Sequence, residues 1–301
     1  MNEFALIDAI VAELGGMAAG DEVLTGPGDD AAVTLPPPGM ALVSTIDAVV
    51  GGVHVPAGAA PALIGYRALM ISVSDLAAMG AAGAFALVAL SLEGDEPDWV
   101  RELARGMARA ARDADLRIVG GNIARGPLNI AVSAHGYVPP GAALLRSGAR
   151  PGDGVYVTGE LGGAAAALTR GGLARLRTDA DLDALSRRYF LPQARLAEGL
   201  ALRGHATSAI DLSDGLAQDL GHVCEASGVG VALTSGSIPV AAGASLEQAL
   251  SGGDDYELCF TLPGTPPALD VPVHRIGRVE AEPGVRLDGR PLTGGYRHFD
   301  P

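Results

Sequence analysis

Seven short glycine- and aspartate-rich motifs punctuate this chain, and most place a carboxylate at or just after an apolar run. They are Gly26-Pro27-Gly28-Asp29-Asp30, Ser44-Thr45-Ile46-Asp47, Ser72-Val73-Ser74-Asp75-Leu76 and Val119-Gly120-Gly121-Asn122. The segments 145–153, 210–215 and 251–257 complete the set. Glycine and aspartate favour turns on conformational grounds, so this punctuation calls for short elements whose ends collect acidic oxygens. Such oxygens are the ligands of hard cations such as Mg²⁺, which bridges to substrate phosphates. The chain contains no lysine: all 21 basic residues are arginine. A P-loop, whose lysine reaches the β- and γ-phosphates, is therefore excluded. Phosphate chemistry in such a chain rests on metals, backbone amides and arginine.

The apolar spacing sets out the elements between the motifs. Residues 3–14 carry Phe4, Ile7, Ile10, Val11 and Leu14 at helical spacing and stop at Gly15-Gly16. Strands are expected at 31–35, 41–46, 84–92, 116–119, 128–138, 155–158, 209–212 and 256–262. Pro61 opens a helix with the apolar face Leu63, Tyr66, Leu69, Met70, Val73 and Leu76. Pro97 opens another, with Asp95, Glu96 and Asp98 at its positive end and Trp99, Leu103 and Met107 on its core face. Residues 180–203 read as mostly helix, the Ala-rich tract 164–167 as helical, and 216–226 as a helix ending at Gly228. No regular βαβ alternation and no solenoid repeat is visible, so the fold class is α+β, with two α/β layers rather than one Rossmann sheet. Pro139-Pro140-Gly141 marks the boundary, giving domains 1–140 and 141–301.

Composition narrows the function. A net charge of −14 argues against a nucleic-acid partner, which needs a basic face. With 48% hydrophobic and 19% charged residues the chain buries a core. No charge occurs between Asp75 and Glu93, but Gly80 and Gly83 break that stretch, which reads as a helix end, a turn and a buried strand rather than a membrane span. The start Met-Asn-Glu-Phe lacks the basic residues of a signal peptide, and Cys224 and Cys259 match no zinc or redox spacing. A cytoplasmic protein with buried structural thiols is expected.

Several motif residues admit two readings. Asp29-Asp30 and Asp47 fit either ordinary turns or an active-site edge. Asp75 lies among Ile71, Val73, Leu76 and Met79, where an uncompensated carboxylate is costly, so a metal or a hydrogen-bonded cap must offset it. Asp211 and Asp214 flank Ser213 at a strand-to-helix junction, where either helix capping or metal and phosphate contact applies. Gly120-Gly121 would let phosphate approach the backbone. Taken singly, Arg146 reads as a solvated arginine and His54 as a turn histidine. No Gly-x-Ser-x-Gly elbow and no Cys–His pairing is evident, so no catalytic nucleophile is expected.

In this order the motifs closely resemble the thiamine-monophosphate kinases, in the superfamily of aminoimidazole ribonucleotide synthetase, over about residues 3–299. The resemblance is carried by Gly28-Asp29-Asp30-Ala31-Ala32, Ser74-Asp75-Leu76-Ala77-Ala78-Met79-Gly80-Ala81 and Arg146-Ser147-Gly148. It continues through residues 209–216, 251–258 and Gly295-Tyr296-Arg297-His298-Phe299. It implies the two-domain superfamily fold and a homodimer that joins its N-terminal sheets, with a C-terminal domain completing the active site. The implied reaction is ATP-dependent phosphorylation of thiamine monophosphate to thiamine diphosphate. Carried over by position, Asp30, Thr45, Asp47, Asp75, Asn122, Asp211 and Asp214 would hold several Mg²⁺ ions. Gly121, Asn122, Arg146 and Ser213 would contact ATP, and His54, Asp254 and Thr293 would meet the thiamine phosphate.

Four positions depart from the family pattern. Asn122 stands for an aspartate, Asp254 for a glutamate, Ile46 for a threonine and Thr293 for an aromatic residue such as tryptophan. The reaction itself needs no general base, because a phosphate monoester with a second pKa near 6 is mostly ionised at neutral pH. Metals held by aspartates would screen the repulsion between two polyanions, and Arg146 would grip phosphate bidentately. Rival readings are another enzyme of the superfamily or a non-catalytic sensor of nucleotide or thiamine phosphate. A selenophosphate synthetase would carry a reactive Cys and Lys near the N-terminus, and a hydrogenase-maturation protein would end in cysteine; this chain has neither.

Overall fold

The computed structural model describes residues 3–94 and 96–296. The expectations placed on Met1, Asn2, Asp95 and Arg297-His298-Phe299 lie outside the described residues, and so does the side chain of Phe4. The chain divides into two compact units. One comprises residues 1–76, 82–140 and 172–183, and the other residues 77–81, 141–171 and 184–301.

In the N-terminal unit, α1 (Glu3–Leu14) is followed by the short hairpin strands β1 (Val23–Thr25) and β2 (Val33–Thr34). A four-stranded sheet is built from β3 (Ala41–Val50), β4 (Ala82–Leu92), β5 (Arg117–Arg125) and β6 (Asn129–Val138), in the order β3-β6-β4-β5. Helix α2 (Pro61–Ala78) buries every residue expected on its apolar face. Helix α3 (Pro97–Asp113) starts at its proline, as its sequence predicts, and buries Val100, Leu103 and Met107. The two helices touch backbone to backbone. A Cβ on Gly106 would lie 1.9 Å from the Ala62 carbonyl, and one on Gly65 would lie 2.2 Å from that of Leu103. Both glycines are therefore packing requirements.

The strand expected at 116–119 runs on through Gly120-Gly121-Asn122 to Arg125. Glycine reads as a strand breaker in sequence, but here it fits a close approach: a Cβ on Gly121 would sit 2.0 Å from the Val88 carbonyl. The strand expected at 31–35 shrinks to Val33–Thr34, because it pairs only with β1, itself three residues long.

The C-terminal unit is a seven-stranded, mostly antiparallel sheet. Its strands are β7 (Gly154–Thr158), β8 (Ser208–Asp211), β9 (Gly230–Leu233), β10 (Leu258–Leu262), β11 (Val273–Glu280), β12 (Gly284–Leu287) and β13 (Arg290–Pro291). They lie in the order β13-β12-β9-β11-β7-β10-β8, so this is an α+β fold rather than a doubly wound one. Helices α4 (Gly163–Arg170), α5 (Ala184–Phe190), α6 (Leu196–Leu202), α7 (Leu216–Ser227) and α8 (Leu246–Ser251) accompany it. The expected helix over 180–203 is split between α5 and α6 around Pro192, which cannot donate within a helix. Helix α7 ends at Gly228, as expected, with the left-handed φ of 67°. One core of this unit joins Val155, Val157, Ile210, Leu216, Leu220, Val231 and Val279. Cys224 and Cys259 are both buried and free. Among the described residues no helix is long and apolar enough to cross a membrane.

Candidate functional site

Strand β3 alternates its side chains between two faces, as the period of 2 requires. Leu42, Ser44, Ile46 and Ala48 are exposed, whereas Thr45 and Asp47 are half-buried on the opposite face. The Thr45 hydroxyl donates to Asp75 Oδ2, which joins β3 to the last turn of α2. Burial pushes the Asp47 carboxyl up to about 6, the nearby charge of Asp75 adds to the rise, and a hydrogen bond from Ser72 opposes it. Asp75 also lies where the helix dipole disfavours an anion. The structure therefore brings Thr45 and Asp47 of β3 together with Asp75, 28 residues beyond Asp47 in sequence.

Every donor at this centre is an oxygen, and its two carboxylates repel. Among the described residues no group of three or more His, Cys, Asp or Glu is arranged to hold a metal. Two carboxylates and a hydroxyl nevertheless suit Mg²⁺, which is bound through one or two carboxylates with water and substrate phosphates. The residues fit that ion, and soft-metal ligands are absent from the group.

Asn122 is not part of the group. Gly121 pairs with Val88, Val88 with Val132, and Val132 with Asp47, so Gly121 and Asp47 end one row of the sheet. Asn122 lies in the neighbouring row with Ala89, Ala131 and Ala48, on the opposite face. Strands β3 and β5 are the two edges of the sheet, about 14 Å apart at ordinary strand spacing. Asp30 stands exposed in the β1–β2 turn, where its N–H donates to Asp29 Oδ1 at 2.8 Å. The His54 ring is tied to the end of β3: Val50 N–H donates to its Nδ1 at 3.0 Å. In the neutral ring the proton is then on Nε2. Ile46 is 68% exposed on the open face, so its side chain is turned away from Asp47 and Asp75.

In the C-terminal unit, Asp211 is buried at the end of β8, and Ser213 and Asp214 follow before α7. The helix-cap reading of these residues is replaced by another acid. Asp219 accepts the N–H groups of Asp214 at 3.1 Å and Gly215 at 3.0 Å. Burial, then the charge of Asp214, pushes Asp219 up to about 7, while those two amides and the charge of Arg146 pull it down. Asp214 Oδ2 instead accepts from Gln218 Nε2 at 2.9 Å. Arg146 is exposed, and its carbonyl accepts from Ser227 Oγ at 3.2 Å. Asp254 N–H donates to the Ser213 carbonyl at 2.8 Å, and Tyr296 N–H to the Asp214 carbonyl at 2.9 Å. Ser213, Asp214, Asp254 and the segment from exposed Thr293 to Tyr296 thus converge around one helix start. Sequence reading missed Asp219 because a carboxylate inside a first turn looks like ordinary dipole compensation.

Comparisons with known proteins identify the family. Residues 28–138 match the N-terminal domain of AIR synthase related protein, and residues 150–290 its C-terminal domain. The thiamine-monophosphate kinase of Salmonella typhimurium is 42% identical over 92% of this chain and 93% of its own. A crystal structure of thiamine-monophosphate kinase from Stenotrophomonas maltophilia aligns with a TM-score of 0.88 at 39% identity, covering 97% of this chain and 98% of that one. A structure described as AaThiL complexed with AMPPCP and TMP aligns with a TM-score of 0.80 at 31% identity, covering 99% and 97%. With the AIR synthase-like domains in order and identity of this extent across nearly the whole length, the chain belongs to the thiamine-monophosphate kinase family.

Proposed function

We propose that this protein is a cytoplasmic kinase that transfers the terminal phosphoryl group of ATP to thiamine monophosphate, giving thiamine diphosphate and ADP. The observation that carries the chemistry is the facing of Asp47 and Asp75 with the Thr45 hydroxyl between β3 and α2. Bound there, Mg²⁺ would neutralise phosphate charge as the acceptor approaches the triphosphate. Asp47 and Asp75 would hold it together with Thr45, whose hydroxyl orients Asp75. Asp30, Asp211 and Asp214 supply further oxygen ligands. Gly121, Asn122, Ser213 and Arg146 bind ATP, the arginine serving where other kinases use lysine. His54, Asp254 and Thr293 meet the thiamine phosphate. The acceptor is already ionised near neutral pH, so no residue acts as general base and no phosphoenzyme forms.

The active form is a homodimer joined through the N-terminal sheet. One observation supports this. Leu42 (56% exposed), Ile46 (68%) and Leu87 (38%) leave an apolar face open beside Ala48, Ala89 and Ala131, and open apolar faces of this kind mark association surfaces. Asn122, at the sheet edge opposite Asp47, would join the Asp47–Asp75 centre from a second copy. Domain 1–140 accordingly supplies dimerisation and metal binding, and domain 141–301 completes the ligand set.

The direct test is incubation of the purified protein with thiamine monophosphate, MgATP and K⁺, following thiamine diphosphate by chromatography. Stoichiometric formation of thiamine diphosphate and ADP is expected. Nucleotide binding without turnover would replace the kinase by a sensor.

A further inference from the structure

The turn from Ser251 to Glu257 is held more firmly than a connection between α8 and β10 requires. Among the described residues, four other than glycine take a positive φ: Asp115, Asp254, Tyr256 and Asp288. Aspartate tolerates that region because its short polar side chain bonds locally. Tyr256, at φ 51°, has no such excuse, and a bulky residue there is a true outlier. Strain of this kind persists only where the surroundings over-determine it.

The surroundings do so here. Asp254 N–H donates to the Ser213 carbonyl and Tyr256 N–H to the Leu212 carbonyl, both at 2.8 Å, and Leu212 N–H returns to the Glu257 carbonyl at 2.9 Å. The Glu257 carboxylate takes a bidentate pair from Arg195, at 2.7 and 2.6 Å, and the Thr158 hydroxyl at 2.6 Å. Both oxygens of Asp255 lie 2.9 Å from the Gly162 N–H. With its neighbours clamped, the backbone of 254–256 has one course, and it brings the Tyr256 hydroxyl to donate to Asp254 Oδ1 at 3.0 Å.

We infer that Tyr256 is a positioning residue for thiamine monophosphate, its hydroxyl fixing the rotamer of the Asp254 carboxylate that meets the substrate. The inference rests on the reading of Asp254 as substrate-facing. Tyr256 itself is buried, so it acts through Asp254. An oriented carboxylate suits the cationic thiazolium of thiamine, a fixed positive charge that ATP lacks. The consequence falls on one substrate only. Where the family's glutamate would reach further, the shorter aspartate depends more on being aimed.

Steady-state kinetics of Tyr256→Phe test this, because the change keeps the ring and removes only the hydroxyl. KM for thiamine monophosphate should rise roughly five- to tenfold, the scale of one net hydrogen bond acting through Asp254. KM for MgATP and kcat should stay within about twofold, and Tm should not move, since uniform binding was lost. Asp254→Asn, a residue that also accepts a positive φ, should raise KM for thiamine monophosphate at least as much. In that background Tyr256→Phe should add little, because the two side chains act as a unit. Additive effects, a fall in Tm with both KM values raised, or an unchanged KM in Tyr256→Phe beside a raised one in Asp254→Asn would each overturn the role of Tyr256. An unchanged KM for thiamine monophosphate in Asp254→Asn would instead remove Asp254 from the substrate site, and the inference with it.

Discussion

The two units treat their acids differently. In the N-terminal unit Asp47 and Asp75 face each other across β3 and α2, with a hydroxyl and a helix C-terminus for company. In the C-terminal unit three acids, Asp219, Asp255 and Glu257, bond to the backbone and to arginine. Asp219 takes two amides at the start of α7, Asp255 takes the Gly162 amide, and Glu257 takes Arg195. Similar glycine- and aspartate-rich motifs thus serve opposite ends. The first pair leaves like charges together, a conflict that a cation would resolve, and the other acids build turns that hold neighbouring groups in place. A buried acid is costly either way, and the partner decides whether the cost signals a ligand site or a scaffold.

Replacing the facing pair tests the first half of that contrast most strongly. Asp47→Asn and Asp75→Asn should each lower kcat/KM by about 10²–10³ at moderate Mg²⁺, on the scale of other electrostatic groups at reacting phosphates. Tm without metal should hold or rise in Asp47→Asn. The raised carboxyl of Asp47 means that the folded chain loses stability as pH climbs through about 6, so removing the charge relieves it above that pH. Near-normal turnover in both variants, or a large drop in Tm, would assign these acids to the scaffold instead.

The contrast also predicts a composite site. Co-refolding inactive Asp47→Asn with inactive Asn122→Arg should regain up to about a quarter of wild-type activity, because one mixed dimer site in two carries both native residues. No regain would mean that Asn122 does not serve Asp47 from a second copy.

Breaking the scaffold in the C-terminal unit should act on stability first. Glu257→Gln leaves half-buried Arg195 without its partner's charge and should cost about 3 kcal/mol, the usual scale for breaking a buried pair. Denaturant unfolding measures it, and a loss below about 0.5 kcal/mol would demote the pair to a surface contact. The smallest effect concerns Asp255, whose carboxyl burial holds well above the ordinary range. Its contribution to stability is complete at acid pH and is lost as pH rises through the raised value. Asp255→Asn keeps an acceptor for Gly162 and should flatten the fall in denaturant midpoint as pH rises above the ordinary carboxylate range; an unchanged slope would exclude Asp255 as its source.

Much of the layout was legible in the residues. Pro61 and Pro97 start α2 and α3, Gly228 ends α7, and the buried face of α2 follows its spacing. The misreadings have local causes. Gly120-Gly121 looked like the end of a strand because the close approach of Val88 that fits glycine there comes from β4, some 33 residues away. The strand expected from Tyr256 begins at Leu258, since Tyr256 is held at a positive φ by bonds to Leu212 and Asp254. The strands β9 and β11 to β13 and helix α8, between residues 230 and 291, were not read, their short apolar runs carrying no clear period.

The sequence by itself determined the elements that short-range rules control: helix starts, turns, the α+β class, and the set of acids from which ligands are drawn. It also excluded a P-loop, because a missing residue type cannot be supplied by folding. Tertiary structure alone decided which acids meet. Asp47 and Asp75 lie 28 residues apart, and only the packing of α2 on the sheet brings them face to face. The parity of β3 turned Ile46 outward and Asp47 inward, and the strand order placed Asn122 at the far edge. Local propensity acts over one or two turns of chain, whereas a carboxylate's charge and role depend on whatever surrounds it in space.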